Sequence, residues 1–268
     1  MSSGLRAERY IVKAETTVKL DGWDPADTSG FGGNKKEGEK AIDAIMKKLD
    51  PLQELLYAEH KHRLLIVLQG MDSAGKDATI RRVFEGVNPE GVRVAHFGKP
   101  TQEELDHDYL WRAHNQVPSK GEIVIFNRSH YESVLVERVH GIVPEKVWSR
   151  RYRQIADFER MLCEEGTTIL KFFLHISKKE QAKRLQDRLD DPTKHWKFSV
   201  LDYDERPYWK EYKRAYEDAI GKTNTSEAPW FIVPSDHGWF RDLVVAEAIL
   251  EGMQGLGMKY PKLDRSKV

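Results

Sequence analysis

Cysteine is nearly missing from this chain. Cys163 is the only one, so no disulfide can form within it, which fits a reducing compartment. Its own reading is a small buried hydrophobe. An excess of one charge is also missing: 43 Lys and Arg balance 43 Asp and Glu, so no global basic field points to nucleic acid, and any polyanion site must be a local patch. No apolar run reaches the length of a membrane span, and the N-terminus, MSSGLRAERYIVKAETTVKL, carries no secretory hydrophobic region. A cytoplasmic protein with neither membrane nor nucleic acid as partner is expected. Low-complexity tracts and internal repeats are absent too, and the 268 residues suffice for a sizeable core.

What is present centres on 64–82, LLIVLQGMDSAGKDATIRR. Leu64, Leu65, Ile66, Val67 and Leu68 form an apolar run too short for an ordinary buried helix, so it predicts a strand covered on both faces. Gly70, Gly75 and Lys76 follow in the spacing G-x-x-x-x-G-K of a phosphate-binding loop between strand and helix. Glycines let the backbone turn tightly and bring the N–H groups of Gly70, Met71, Ser73, Ala74 and Gly75 close to an anion. The following helix points its positive end at the same place, and Lys76 would reach the outer phosphates.

One departure from that motif bears on the chemistry. Asp77 replaces the Ser or Thr that usually follows the lysine, and Asp72 sits inside the loop. Carboxylates repel phosphates unless cations lie between them, so two acids here point to bound magnesium, more strongly for Asp72 than for Asp77. Without a metal, Asp72 would cap a turn and Asp77 would complement the helix N-terminus.

Elsewhere helix and strand patterns alternate. Residues 35–62 carry Ala41, Ile42, Ile45, Met46 and Leu49 at helical spacing, interrupted at Pro51, which predicts two helices or one kinked helix. His60 and His62 read as a solvated or phosphate-facing edge rather than a metal pair. Val92, Val94 and Ala95 predict a second strand, and Thr101 with Glu104 a capping box opening a helix through Leu105, Tyr109, Leu110 and Ala113. EIVIF at 122–126 predicts a third strand, TTILKFFLHI at 167–176 a fourth and WFIV at 230–233 a fifth. Trp148, Tyr152, Ile155, Phe158 and Leu162 mark a core helix, and Leu243, Ala246, Ile249 and Leu250 one face of a closing helix. Alternation of this kind gives an α/β fold, a parallel five-stranded sheet with helices on both faces.

Ligands collect at the ends of parallel strands. After the third strand, Asn127 could hold magnesium or its water, and Arg128 could grip phosphate in a fork. Ser129 and Glu132 have capping-box spacing, and for Glu132 capping and ligand contact stand level. Between strands four and five lies a charged insertion with Lys178, Lys179, Lys183, Arg184, Arg188, Lys194 and Lys197, placed to fold over a polyanion as a lid. Tyr208, Tyr212 and Tyr216 form a stripe that reads as lid packing in preference to a base-stacking platform.

GMDSAGKDATIRRVFEGVNPEGVRV, PTQEELDHDYLWRAH, IFNRSHYESVLVERVHG and DDPTKHWKFSVLDYDERPYWKEYKRAYEDAI together resemble the polyphosphate kinase 2 family over most of the chain. That resemblance implies a P-loop kinase-like three-layer sandwich similar to thymidylate kinase, with a helical lid. It also implies phosphoryl transfer between inorganic polyphosphate and adenine nucleotides, with guanine nucleotides as a second class. Mg2+ would be the cofactor, Mn2+ a substitute, and the assembly a homo-oligomer, dimer or tetramer. Asp72, Lys76 and Asp77 match the first family motif, Asn127 with Arg128 the second, and Arg184 with Arg188 the lid basics. Asp72, Lys76, Asp77 and Arg128 would be catalytic; Asp72, Asp77 and Asn127 would hold metal; Asn127, Arg128 and Glu132 would hold nucleotide; Arg184, Arg188, Lys194 and Lys197 would join the loop on phosphate. NRSHYE resembles the subgroup that accepts nucleoside mono- and diphosphates. The expected layout is an arm and helices over 1–62, a phosphotransferase domain over 63–256 with its lid at 177–221, and a tail over 257–268. An ATP-dependent nucleotide or nucleoside kinase and a non-catalytic polyanion-binding module are the rival readings.

Overall fold

The five apolar runs form five strands: β1 (Arg63–Gly70), β2 (Val92–His96), β3 (Ile123–Asn127), β4 (Thr167–His175) and β5 (Trp230–Pro234). The computed structural model describes residues 4–13, 16–197 and 199–263, without the side chains of Lys197, Val200 and Leu201. All neighbouring strands are parallel, in the order β2-β3-β1-β4-β5. β1 is central, flanked by β3 and β4, and its side chains from Leu64 to Gln69 are buried because helices cover both faces. Register then sets the site: Leu68 pairs with Asn127 of β3 and Phe172 of β4, and Gly70 with Leu174. The carboxyl ends of β1, β3 and β4 therefore finish side by side, where the connections diverge to opposite sides of the sheet.

The helices are α1 (Lys35–Glu59), α2 (Lys76–Val83), α3 (Gln102–Asp106), α4 (Trp111–His114), α5 (Val136–Val139), α6 (Glu145–Glu164), α7 (Lys178–Asp190), α8 (Val200–Asp204), α9 (Trp209–Thr223) and α10 (Gly238–Gly255). The insertion after β4 consists of α7, a 3-10 turn at Pro192–Lys197, α8 and the return helix α9. Among the described residues no helix is long and apolar enough to cross a membrane.

At four places the structure adds to or departs from the sequence reading. α1 runs unbroken through Pro51, because the proline and Lys47, whose carbonyl loses its helical donor, are both exposed to water. A capping box starts this helix: the Glu37 N–H donates to Asn34 Oδ1 (3.2 Å) and the Asn34 N–H to Glu37 Oε2 (2.8 Å). The capping box of Thr101 and Glu104 forms as expected, but the helix stops at Asp106. Asp108 accepts the Leu110 N–H (2.9 Å) in a turn that separates α3 from α4 and leaves Leu105 61% exposed. α10 is buried on every side, not one, because α1 lies along its outer surface. The N-terminal arm pairs with the sheet edge through the Val12 N–H on the Trp230 carbonyl (2.8 Å), so β5 is not left open.

Burial separates positions that look alike as letters. Ile66→Ala, at a site 0% exposed in the central strand, is expected to lower unfolding free energy by about 2–5 kcal/mol, and Leu105→Ala by less than about 0.5 kcal/mol. Urea unfolding of both variants measures the contrast.

Candidate active site

The loop after β1 turns through three left-handed residues: Gly70 (φ 157°), Ser73 (φ 62°) and Gly75 (φ 109°). Both glycines are required. A Cβ on Gly70 would lie 2.9 Å from the Leu174 carbonyl oxygen, and one on Gly75 1.9 Å from Arg241 Nη1. Side chains hold the loop's carbonyls. Lys76 Nζ donates to Gly70 O (2.8 Å) and Met71 O (3.4 Å), and Gln181 Nε2 to Asp72 O (3.0 Å). Arg184 Nη1 donates to Ser73 O (3.0 Å) and Ala74 O (3.1 Å), and Arg241 Nη1 also reaches Ala74 O (3.2 Å).

Arg184, expected to meet phosphate from the lid, lines the cleft and also braces the loop. Its Nη2 donates to Ser235 O (2.6 Å) and Asp236 O (3.0 Å), and its Nε to Glu180 Oε1 (3.0 Å), so the fork ties α7 to the loop and to the end of β5. Arg188 pairs with Asp202 (2.6 Å) and Lys194 with Asp191 (2.9 Å) at the rim. Lys197 ends the 3-10 turn, and its side chain falls outside the described residues.

Asp72, Ser73, Gly75, Lys76, Asp77, Asn127, Arg128, Arg188, Lys194 and Asp202 share one cleft of about 710 Å³. Within it Arg128 Nη2 donates to Asp72 Oδ1 (2.9 Å) and Asn127 Nδ2 to Asp77 Oδ1 (2.6 Å). Arg128 holds a left-handed φ of 60°. Its side chain is 42% exposed, so a ligand can compete for the guanidinium. Burial works against the Arg128 charge, but the Glu132 and Asp72 carboxylates outweigh it and raise its pKa. Burial pushes the Lys76 ammonium down, Arg128 adding to the effect while Asp72, Glu132 and Asp77 oppose it. Ser73 lines the cleft, and its hydroxyl is buried without a hydrogen-bond partner in this structure.

No cluster of three His, Cys, Asp or Glu side chains able to hold a metal occurs among the described residues. Mg2+ needs less than that: it keeps several waters and takes one or two carboxylates together with substrate phosphates. Asp72 and Asp77 in one cleft fit that donor set. Asn127 lies beside Asp77, its amide N–H turned to the carboxylate.

Glu132 does not cap its helix. Ser129 Oγ accepts the Tyr131 N–H (3.2 Å) and the Gln69 Nε2 (3.0 Å), while Glu132 Oε1 accepts from the same Gln69 nitrogen (3.2 Å). Glu132 thereby faces a second, smaller cavity with Asp72, Arg128, Tyr212 and Tyr216. Two of the three tyrosines pack the lid's return helix, as read, the Tyr216 ring lying 4.5 Å from that of Phe173 and Tyr212 donating to Glu205 (2.8 Å), whereas Tyr208 precedes the helix and is exposed. His62 pairs with Glu59, which also accepts the Lys259 N–H (3.0 Å). Cys163 is half-buried, and burial pushes its thiol up to about 11.

Gln69, Gln181, Arg241 and Asp242 escaped the sequence reading. Arg241 Nε donates to Asp242 (2.8 Å), which also takes the Thr79 hydroxyl (2.8 Å), bracing α2 from behind. The signal available was a charged pair inside the apolar run WFRDLVV.

Burial raises the Glu132 carboxyl's pKa, with Arg128, Lys76 and Gln69 opposing it. A carboxyl raised in the fold favours folding below its ordinary pKa, and that contribution is lost as pH rises through the raised one. Glu132→Gln should therefore gain thermal stability relative to wild type as pH goes from 4 to 8. Melting curves at both ends check the sign.

Three comparisons bear on this geometry. Residues 32–260 match the family model described as Polyphosphate kinase 2. A Meiothermus ruber protein named AMP/ADP-polyphosphate phosphotransferase is 55% identical over 255 residues, 95% of this chain and 96% of the relative. An ADP-polyphosphate phosphotransferase of Rhodopseudomonas palustris is 40% identical over 270 residues, 96% of this chain and 93% of the relative. A crystal structure of polyphosphate kinase 2 from Arthrobacter aurescens superposes with a TM-score of 0.94 at 44% identity, covering 98% of this chain and 94% of that one. With sheet order, loop and cleft in place, these likenesses lead to one statement: the chain belongs to the polyphosphate kinase 2 family.

Proposed function

We propose that this protein transfers a phosphoryl group from inorganic polyphosphate to AMP and to ADP in the presence of Mg2+, giving ADP and ATP. The observation that carries the reading is the convergence of Lys76, Arg128, Arg188 and Lys194 with the Gly70–Gly75 loop on one cleft at the carboxyl ends of the strands. That surface suits a chain of phosphates, and the relatives' names supply the acceptors. One relative, from Corynebacterium glutamicum, is named for GDP, so guanine nucleotides form a second acceptor class in the proposal. The family resemblance extends the reading to Mn2+ as a substitute ion and to a homo-oligomer, and the single cysteine fits a cytoplasmic location.

In the proposed reaction a terminal phosphate oxygen of the acceptor attacks the end phosphorus of polyphosphate in line. The new P–O bond forms as the bond to the bridging oxygen breaks, and the shortened polyphosphate leaves with that oxygen. The attacking oxygen is already ionised at neutral pH, so no general base is required, and catalysis rests on alignment and charge neutralisation. Lys76 exchanges the Gly70 carbonyl for phosphate oxygen, and Arg128 exchanges Asp72. Both cations then face the charge that develops in the transition state. Arg184 holds the loop in place for the others. With Asp72 and Asp77 as its protein ligands, Mg2+ would supply charge neutralisation between those carboxylates and the phosphates.

Incubation of the purified protein with Mg2+, AMP and long-chain polyphosphate, without ATP, should yield ADP and then ATP. If polyphosphate leaves AMP untouched while ATP supports transfer, the donor assignment is wrong. Lys76→Ala and Asp72→Ala should each lower turnover by about 10²–10³-fold at nearly unchanged melting temperature; steady-state kinetics beside thermal melts tests this.

A further inference from the structure

Beneath the active site lies a buried ion pair that the chemistry does not touch. Lys171, in the middle of β4, is 0% exposed at its side chain, and Glu159 of α6 is 2% exposed. The ammonium donates to Glu159 Oε2 (2.6 Å), the Thr223 carbonyl (2.7 Å) and the Tyr131 hydroxyl (3.2 Å), which accounts for all three hydrogens. The Tyr131 hydroxyl lies 2.8 Å from both Glu159 Oε1 and Thr223 Oγ1. His130 Nε2 stands 3.3 Å from Glu159 Oε1, and Trp230 Nε1 donates to Thr223 Oγ1 (3.0 Å). Burial opposes ionisation of Glu159, but Lys171 and His130 outweigh it and hold the carboxyl below its ordinary pKa.

The partners of this pair are informative. His130 and Tyr131 belong to the turn that follows β3 and begins at Arg128, with Arg128 in a left-handed conformation that non-glycine residues seldom adopt. Thr223 is the last residue of α9, the helix that closes the lid and carries Tyr212 and Tyr216 against Arg128. A buried ion pair is in general no more stabilising than apolar residues of similar volume, so adhesion of α6 to the sheet does not require it. Its directional bonds do something an apolar contact cannot: they fix the turn and the end of the lid helix to one point of β4.

Resting on the phosphotransfer reading above, we propose that Lys171 and Glu159 are positioning residues that hold the Arg128 turn and the root of the lid in a single register for transfer. Neither touches substrate. Misplacement of a reacting group by about 1 Å is enough to lower the rate about a hundredfold.

A pair of variants separates positioning from plain stability. Lys171→Met or Glu159→Leu alone leaves an unpaired buried charge and should destabilise strongly, while the double variant should melt close to wild type. In that double variant kcat for polyphosphate and AMP should fall about a hundredfold while KM for polyphosphate stays within about twofold, with a step that depends on Arg128 placement lost rather than binding. Tyr131→Phe, which keeps the ring on Trp230 and removes only the hydroxyl, should fold normally and lose about tenfold in kcat at unchanged nucleotide KM. Should the double variant fail to fold, Tyr131→Phe decides alone. Hydrogen exchange gives a readout independent of turnover: amides of 128–134 and 216–223 should exchange about tenfold faster in Tyr131→Phe, with those of β1 unchanged. Wild-type kcat and exchange in these folded variants would overturn the positioning role. A wild-type protein without polyphosphate-dependent transfer would overturn the functional reading instead, leaving the exchange result to judge the pair.

Discussion

Five consecutive carbonyls, from Gly70 to Ala74, are each held by a side chain, and the active-site cleft depends on that restraint. Lys76 takes the first two, Gln181 the third and Arg184 the last two, with Arg241 joining at Ala74. A trans peptide is planar, so a carbonyl pinned on one side turns the next N–H to the other. The loop can thus offer amides to an anion because side chains occupy its oxygens, and those of Gln181, Arg184 and Arg241 stay in place when Lys76 turns to phosphate in the proposed reaction. Gln181 and Arg184 come from α7 and Arg241 from α10, so the lid's first helix and the closing helix are part of the loop's construction.

The same cleft carries its own countercharges. Asp72 pairs with Arg128, Asp202 with Arg188 and Asp191 with Lys194 before any ligand arrives, while Asp77 is held by the neutral amide of Asn127. A polyanion must therefore displace carboxylates instead of filling an empty basic groove. Burial and the neighbouring Asp72 charge raise the Asp202 pKa while Arg188 opposes them, so this carboxylate is poorly solvated and poorly placed near further negative charge. A divalent cation between acid and phosphate would remove that conflict, which is the physical argument for magnesium from two aspartates.

Polar groups buried away from the cleft divide into two kinds. Arg241 and Asp242 brace the loop directly, beside Thr79. Lys171, Glu159 and Tyr131 act one layer deeper, where β4, α6, the Arg128 turn and the end of α9 meet. Each apolar layer of the sheet could be filled by many residue combinations, whereas these hydrogen-bonded sets allow one arrangement.

The strand positions, the glycine loop and the acid-bearing variant of its motif were legible in the letters, because period and spacing are local properties. The end of the third strand and the charged insertion likewise pointed to Arg128 and to the lid, and the family likeness added the reaction and its substrates. The linear pattern misplaced Leu105, which it put on a buried helix face, since the Leu110 N–H donates to Asp108 in a turn that separates α3 from α4 and no periodicity encodes it. It did not show that Arg184 holds loop carbonyls, and it left Glu132 undecided between cap and cavity. Sequence by itself determined which segments become strands and helices and where a phosphate loop could form. Only the packed structure decided which cation meets which carbonyl or carboxylate, because those partners lie as much as 167 positions apart and are chosen by strand register and helix packing.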